Sequence, residues 1–115
     1  MSAAEIREPS FLILSALAGG PLHGYAVISE VSELSEGRVR LRPGTLYAAL
    51  ERLAGDGLVA PHGERVVDGR LRRYFALTDE GAGALAEQAE RMRQNAERAT
   101  ARLRQARAPR QVAPA

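Results

Sequence analysis

The sequence predicts a mainly α-helical chain that carries one small β-hairpin and ends in a long helix. Three short segments before residue 58 have apolar residues at helical spacing, and glycine and proline separate these segments. An Asp-Gly pair at 68–69 lies between two strand-like runs. Residues 79–107 contain no proline and can therefore form one continuous helix. The 115 residues are enough for one compact domain and one extended element.

The first two helices are expected at residues 9–18 and 23–34. Proline is accepted in a first helical turn, as at Pro9, and the pair Gly19 and Gly20 ends the first helix. Its apolar residues surround the axis, so this helix must be covered on more than one side. In the second helix, the residues expected to face inward recur at steps of three: Tyr25, Ile28, Val31 and Leu34.

A very short strand and a third helix are expected next. Basic and apolar residues alternate at 38–41, which favours a strand, and Pro43 opens a helix that ends before Gly57. Three leucines of this helix are spaced for an inward face: Leu46, Leu50 and Leu53. The outer face is left to Thr45, Ala48, Glu51 and Arg52.

The hairpin combines two strands, expected at 58–60 and 71–77, with a tip at Asp68-Gly69. Its two arms carry four arginines: Arg65, Arg70, Arg72 and Arg73. So many positive charges on one hairpin repel one another unless an anion lies nearby, and the phosphates of a nucleic acid are such anions. Arg73 could instead pair with Asp68 or Glu64. This hairpin carries the clearest functional signal in the sequence.

The long helix at 79–107 has about 29 residues and a length of roughly 40 Å, and Thr78 can cap it. Its apolar residues alternate between steps of four and three, which is the spacing of a heptad seam: Leu85, Ala89, Met92, Ala96, Ala99, Leu103 and Ala106. The chain has no other segment to cover this seam. We therefore expect a homodimer in which the seam meets the same helix of a second subunit and that subunit's first helix, which contains Phe11.

Composition excludes several classes of function. The absence of cysteine and the presence of two histidines argue against metal, redox and other cofactor sites. No acid pair, no nucleophile with a base and no glycine-rich phosphate loop indicates an enzyme. No apolar run is long enough to span a membrane or resembles an export signal, so we expect a cytoplasmic protein. Residues 37–75 hold eight arginines against four acidic residues, a balance of +4.

Three helices, a hairpin and a long helix, in this order, form a winged helix-turn-helix followed by a dimerisation helix. In that fold the third helix enters the major groove of DNA and the hairpin lies along the backbone. Arg42 and Arg52 are the candidates for bidentate contacts to guanine, although Arg52 could instead form an ion pair on the helix surface. The expected organisation is a DNA-binding domain at 1–78, a dimerisation helix at 79–107 and a flexible tail at 108–115.

Three segments resemble the PadR family of transcriptional regulators: PLHGYAVI at 21–28, RPGTLYAALERLAGDGLV at 42–59 and GRLRRYFALTDEG at 69–81. The short length of the chain is similar to the single-domain subclass. The resemblance implies winged-helix dimers that bind inverted-repeat operators and usually repress the genes beside them. It also implies dimerisation through the helix after Thr78 and DNA contacts from the hairpin arginines and from Arg42, Thr45, Tyr47 and Ala48.

Some short members of that family bind flat drugs between their subunits by means of a tryptophan on the last helix. This sequence contains no tryptophan. We therefore expect a small apolar or aromatic effector to bind a site that is smaller than that drug site and is lined by Phe11 and Met92.

Two alternatives follow from the same pattern. The winged helix could be a scaffold whose long helix pairs with a different protein, without specific DNA binding. Within DNA-binding proteins, a MarR-like or ArsR-like winged helix is the nearest rival, but those dimerise through additional N-terminal helices for which we expect no room here.

Overall fold

Seven elements make up residues 5–107, which are the residues that the computed structural model describes. In chain order they are α1 (Glu8–Leu17), β1 (Leu22–His23), α2 (Gly24–Leu34), α3 (Pro43–Gly55), β2 (Val59–Val67), β3 (Arg70–Leu77) and α4 (Asp79–Arg107). The predicted fold class is confirmed, and the three short helices and the hairpin precede the long helix as expected. The flexible tail expected at 108–115 lies outside the described residues.

The hydrophobic core lies between the three short helices and one face of the sheet. Every residue of α1 from 10 to 17 is buried or half-buried, which confirms that this helix is covered on more than one side. The inward face predicted for α3 is also confirmed, because Leu46, Leu50 and Leu53 are buried. The sheet contributes Val59 and Phe75 to the same core. Burial of these apolar side chains is the main stabilising contribution to the fold.

The inward face predicted for α2 is wrong at both ends of the helix. Val27 and Val31 are fully buried, whereas Tyr25 and Leu34 are 52% and 50% exposed. The reason is geometric, because nine residues turn an α-helix by two and a half turns at about 3.6 residues per turn. Tyr25 and Leu34 therefore lie on opposite sides of α2, and a repeat of three cannot define one face over that length.

The short strand predicted at 38–41 does not form. The backbone N–H of Val39 donates to the buried Ser35 hydroxyl at 2.9 Å, and Arg40 Nε donates to the Gly37 carbonyl at 3.3 Å. These local hydrogen bonds hold the segment as a loop between α2 and α3. The third strand of the sheet is instead β1, which pairs with β3 through Leu22 and His23.

The sheet is antiparallel with the order β1-β3-β2, so β3 is the central strand. The predicted hairpin tip is confirmed, since Asp68 and Gly69 have φ values of 51° and 75°, as a two-residue primed turn requires. The first strand of the hairpin is longer than expected and contains a bulge between Pro61 and Glu64. We call the hairpin at 59–77 the wing; its far end is exposed and extends beyond the core.

The long helix α4 has the predicted bounds and the predicted cap. The Thr78 hydroxyl accepts from the Gly81 N–H at 2.9 Å and donates to the Gly57 carbonyl at 2.6 Å, which ties α4 to the turn after α3. Within α4 only Gly81 and Gln88 are buried. On its exposed surface the Arg93 guanidinium pairs with Glu90 and lowers the pKa of that carboxyl. Among residues 5–107, each helix is too short or too polar to span a lipid bilayer.

Substitution of Gly81 by alanine should destabilise the protein. A Cβ at this position would lie 2.0 Å from the Leu58 carbonyl oxygen, which is backbone and cannot move aside without shifting β2. We expect a loss of about 1–3 kcal/mol in the free energy of unfolding, measured by urea denaturation. Gly83→Ala is the matched control, because a Cβ there meets open space, and it should stabilise α4 by about 0.5–1 kcal/mol. Equal effects of the two substitutions would contradict this packing.

Candidate nucleic-acid interface

The first turns of α3 present small side chains on an exposed face. Arg42 precedes the helix in an extended conformation and makes no capping hydrogen bond through its side chain, while Pro43 occupies the first turn. Thr45 and Ala48 are exposed, and a Cβ added to Gly44 would meet nothing within 4 Å. The backbone N–H groups of the first turn are thus free to face an external acceptor, and another molecule can approach the helix closely.

Arg52 continues the line of Thr45 and Ala48 along α3, at i+7 and i+4. Its side chain is exposed, and Nη2 donates to the buried Ser10 hydroxyl of α1 at 3.3 Å. The ion pairs with Glu51 or Asp56 that the sequence left open do not form within residues 5–107. Arg52 therefore joins α3 to the first turn of α1 at the edge of the exposed face.

Tyr47 differs in its surroundings from the other candidates on α3. It is 40% exposed, and its ring lies 6.3 Å from the ring of Phe75 in an edge-to-face arrangement. Its hydroxyl lies directly above Gly24, where a Cβ would come within 2.4 Å of the oxygen. Tyr47 thus packs between the start of α2 and the central strand of the sheet.

Alternation along the wing separates its arginines into two groups. The strand register pairs Arg65 with Arg72 and Val67 with Arg70, so three arginines share the sheet face that points away from the core. Arg73 pairs with Glu64 in the register and lies on the opposite face, the face of Phe75. The salt bridges left open for Arg73 do not form, and within the described residues none of the four wing arginines has one.

Two tyrosines lie against two of the three arginines of the outer face. The Arg72 guanidinium carbon lies 4.9 Å from the ring centroid of Tyr25, and that of Arg65 lies 5.7 Å from the centroid of Tyr74. Arg72 Nε is buried and has no hydrogen-bond partner within the described residues. Two positive charges directly across an antiparallel ladder repel each other, and the aromatic faces offset this repulsion in part. We call Arg65 and Arg72 the arginine pair.

His23 supports this face of the sheet from β1. Its ring meets the Tyr74 ring edge-on at 5.5 Å between centroids, and its Nδ1 accepts from the Ala26 N–H at 3.3 Å. His23 is thus the N-cap of α2. Sequence periodicity missed the role of Tyr25, which it assigned to the core.

The residues expected to dimerise behave in two ways. Leu85 is half-buried and packs against the core of its own subunit. The rest of the seam is exposed within one subunit, with Met92 49% and Leu103 64% exposed, and it includes Ala89, Ala96 and Ala99. Phe11 is half-buried on α1, which packs against α4. Phe11 and Met92, the expected effector residues, thus lie on two neighbouring helices.

We expect Gly24→Ala to act through Tyr47. The added methyl overlaps the Tyr47 hydroxyl, so the ring must move and the free energy of unfolding should fall by about 1–2 kcal/mol. In a Tyr47→Ala background the same substitution should cost nothing, because the ring is absent. Urea denaturation of the four proteins of this double-mutant cycle measures the coupling. Additive effects would mean that Tyr47 does not pack over Gly24.

Comparison with known proteins identifies the family. The model of the family described as "Transcriptional regulator PadR-like family" matches residues 13–87. The transcriptional regulator Rv3488 of Mycobacterium tuberculosis is 44% identical over 75 residues, which cover 65% of this chain and 66% of that protein. Across the relatives with similar sequence, this chain spans between 23% and 70% of their length.

Solved structures of other proteins have the same fold. A PadR family transcription regulator from Clostridium difficile superposes with a TM-score of 0.70 at 27% identity, over 82% of this chain and 96% of that one. PadR of Bacillus subtilis, solved in complex with operator DNA, superposes with a TM-score of 0.61 at 23% identity, over 70% of this chain and 46% of that one. With a family match that extends from the first helix into α4, this chain belongs to the PadR-like family of transcriptional regulators.

Proposed function

We propose that this protein binds DNA sequence-specifically as a homodimer and represses transcription from an inverted-repeat operator. The main support for this proposal is the arginine pair of the wing, two cations that face each other across the ladder and that form no salt bridge within residues 5–107. Such a pair is unfavourable in the isolated protein and favourable beside a phosphate. The proposed place of action is the bacterial cytoplasm, where the DNA is.

Phosphate contacts by the wing would supply affinity and orientation. Each phosphate that an arginine neutralises releases condensed counterions, so binding weakens as salt rises. The cation–π contacts with Tyr74 and Tyr25 restrict the side chains of the arginine pair before DNA binds, which would lower the entropy lost on binding. Arg70, on the same face near the tip, extends this positive surface, and Arg73 adds a charge on the other side of the wing.

Sequence recognition is assigned to α3. Its exposed line of Thr45, Ala48 and Arg52 is the face that would enter the major groove, with Arg42 at the entrance. Arg52 would have to leave Ser10 to reach a guanine, whereas Arg42 makes no capping bond that it must give up. Tyr47 would act indirectly, by setting how α3 sits against α2 and the sheet.

A homodimer is supported by the exposed seam of α4. Beyond Leu85 the seam is not covered by any described part of its own subunit, and a symmetric partner helix would bury Met92 and Leu103. Two copies would present two wings and two α3 helices to one duplex, which matches an inverted repeat. The Bacillus subtilis PadR structure contains operator DNA, which supports the same mode here. An apolar or aromatic effector that binds between Phe11 and Met92 would act by changing this packing.

The salt dependence of binding tests the arginine pair. The DNA is a site selected from a random pool, and the dissociation constant is measured by fluorescence anisotropy across a salt series. Replacement of Arg65 and Arg72 by alanine should weaken binding to all sequences and reduce the slope of log affinity against log salt by about 2, since each phosphate contact contributes about 0.9. Arg98→Ala, on exposed α4, is the control and should leave the slope unchanged.

Equal slopes for the wild type and the double variant would contradict phosphate contact by the wing. If selected and random DNA compete equally for the wild type, the proposal of sequence-specific DNA binding is wrong. A monomer in light scattering that binds no DNA would favour the alternative function, a winged-helix module that pairs with another protein.

The substitution Gly44→Ala distinguishes an effect on DNA binding from an effect on folding. The methyl group meets open space in the free protein, so the free energy of unfolding should stay the same or rise by up to about 1 kcal/mol. If the first turn of α3 lies against DNA, the same methyl should reduce affinity on the order of tenfold. Gly55→Ala, at the other end of α3 and equally open, is the matched control and should keep wild-type affinity. If Gly44→Ala binds DNA with wild-type affinity, DNA does not lie against the first turn of α3.

A further inference from the structure

Gln88 is buried in a helix whose later residues are mostly exposed. Its exposed fraction is 7%, and among the described residues it is the last one of α4 to be buried. It lies seven residues after Gly81, two turns along the same side of the helix, with half-buried Leu85 between them. These three residues mark the length over which α4 is attached to the winged-helix unit, and Gln88 is the end of that attachment.

The side-chain amide of Gln88 forms two hydrogen bonds with one residue far away in the chain. Its Oε1 accepts from the Ile6 N–H at 3.0 Å, and its Nε2 donates to the Ile6 carbonyl at 2.5 Å. This paired geometry imitates one rung of a β-ladder and fixes both the distance and the angle between α4 and the segment before α1. Arg91, one turn later, adds a weaker contact to Oε1 at 3.4 Å.

The segment that Gln88 holds is connected to the DNA-facing part of the molecule. Two residues after Ile6, Glu8 forms a salt bridge with Arg38 of the loop before α3 at 3.2 Å. Ser10, in the first turn of α1, accepts a hydrogen bond from Arg52 of α3. The contacts of Ile6, Glu8 and Ser10 thus join α4, the loop and α3 through one short stretch of chain.

A small change in the angle of α4 at Gln88 would produce a larger displacement at the far end of the helix. About 19 residues follow Gln88, which gives a lever of roughly 29 Å at about 1.5 Å per residue. A tilt of about 10° at Gln88 would displace the far end by roughly 5 Å, more than the rise of one base pair, about 3.4 Å. The angle at Gln88 therefore matters for where a second subunit places its own α3.

We propose that Gln88 is a specificity-determining residue that sets the spacing between the two half-sites the dimer accepts. By locking α4 to Ile6, it fixes the angle between the dimerisation helix and the unit that reads DNA. This inference rests on the proposed function, since it requires a dimer on two half-sites. Gln88 acts as a positioning residue. It affects which spacing between the half-sites is preferred and does not affect which bases are read in each half-site.

The test uses the full chain with Gln88→Met, which keeps the length of the side chain and removes both hydrogen bonds. Glu87→Gln, the exposed neighbour, is the matched control. Affinity is measured on DNAs that carry the same two half-sites with spacers differing by single base pairs across one helical turn. For the wild type and the control, the affinity for the preferred spacing should exceed the affinity for a spacing two base pairs longer or shorter by on the order of tenfold. In Gln88→Met this ratio of affinities should fall at least about threefold. The half-site sequence selected should not change.

Gln88→Glu provides a second variant of equal length, which can still accept from the Ile6 N–H but cannot donate to its carbonyl while ionised. It should flatten the spacing profile as well, and it decides the question if Gln88→Met does not fold or dimerise. A folded, dimeric variant with the wild-type profile would overturn the proposal. So would loss of folding in both variants, because Gln88 would then serve stability alone. A wild type without any half-site preference would refute the proposed function itself.

Discussion

Alternation of side chains along β3 is the constraint on which both the core and the charged surface depend. Phe75 points inward and contacts Tyr47 of α3, while Tyr74 and Arg72 point outward and meet Arg65 and Tyr25. Because the period of a strand is two, a shift of one residue would exchange these two sets. The register that fixes Phe75 in the core therefore also fixes the arginine pair on the outer face, and packing energy holds two like charges together.

The contacts that attach α4 to the rest of the subunit differ in kind from those of the hydrophobic core. Thr78, Gly81 and Gln88 hold the first turns of the helix through a cap, a close backbone contact and a pair of hydrogen bonds. These contacts are directional, whereas burial of apolar area is not. The rest of α4 then extends away at a defined angle with an exposed seam. In the proposed dimer, this directional attachment and the length of α4 would set the separation of the two α3 helices on one duplex.

Much of this architecture could be predicted from the sequence, because strong local signals fix it. The bounds of α4, the inward leucines of α3 and the turn at Asp68-Gly69 follow from periodicity, capping and backbone conformation. Contacts between distant segments could not be predicted. The two-residue strand β1 is too short to have a period, and the pairing of Gln88 with Ile6 joins positions 82 residues apart.

We propose that the arginine pair contacts a DNA phosphate, and the structure of the protein bound to its selected DNA tests this contact most directly. We expect the phosphate oxygens of one strand within about 3 Å of the Arg65 and Arg72 guanidinium nitrogens, with the cation–π contacts to Tyr74 and Tyr25 retained. A complex in which α3 occupies the major groove while these two side chains face solvent, or fold back onto acidic neighbours, would contradict it.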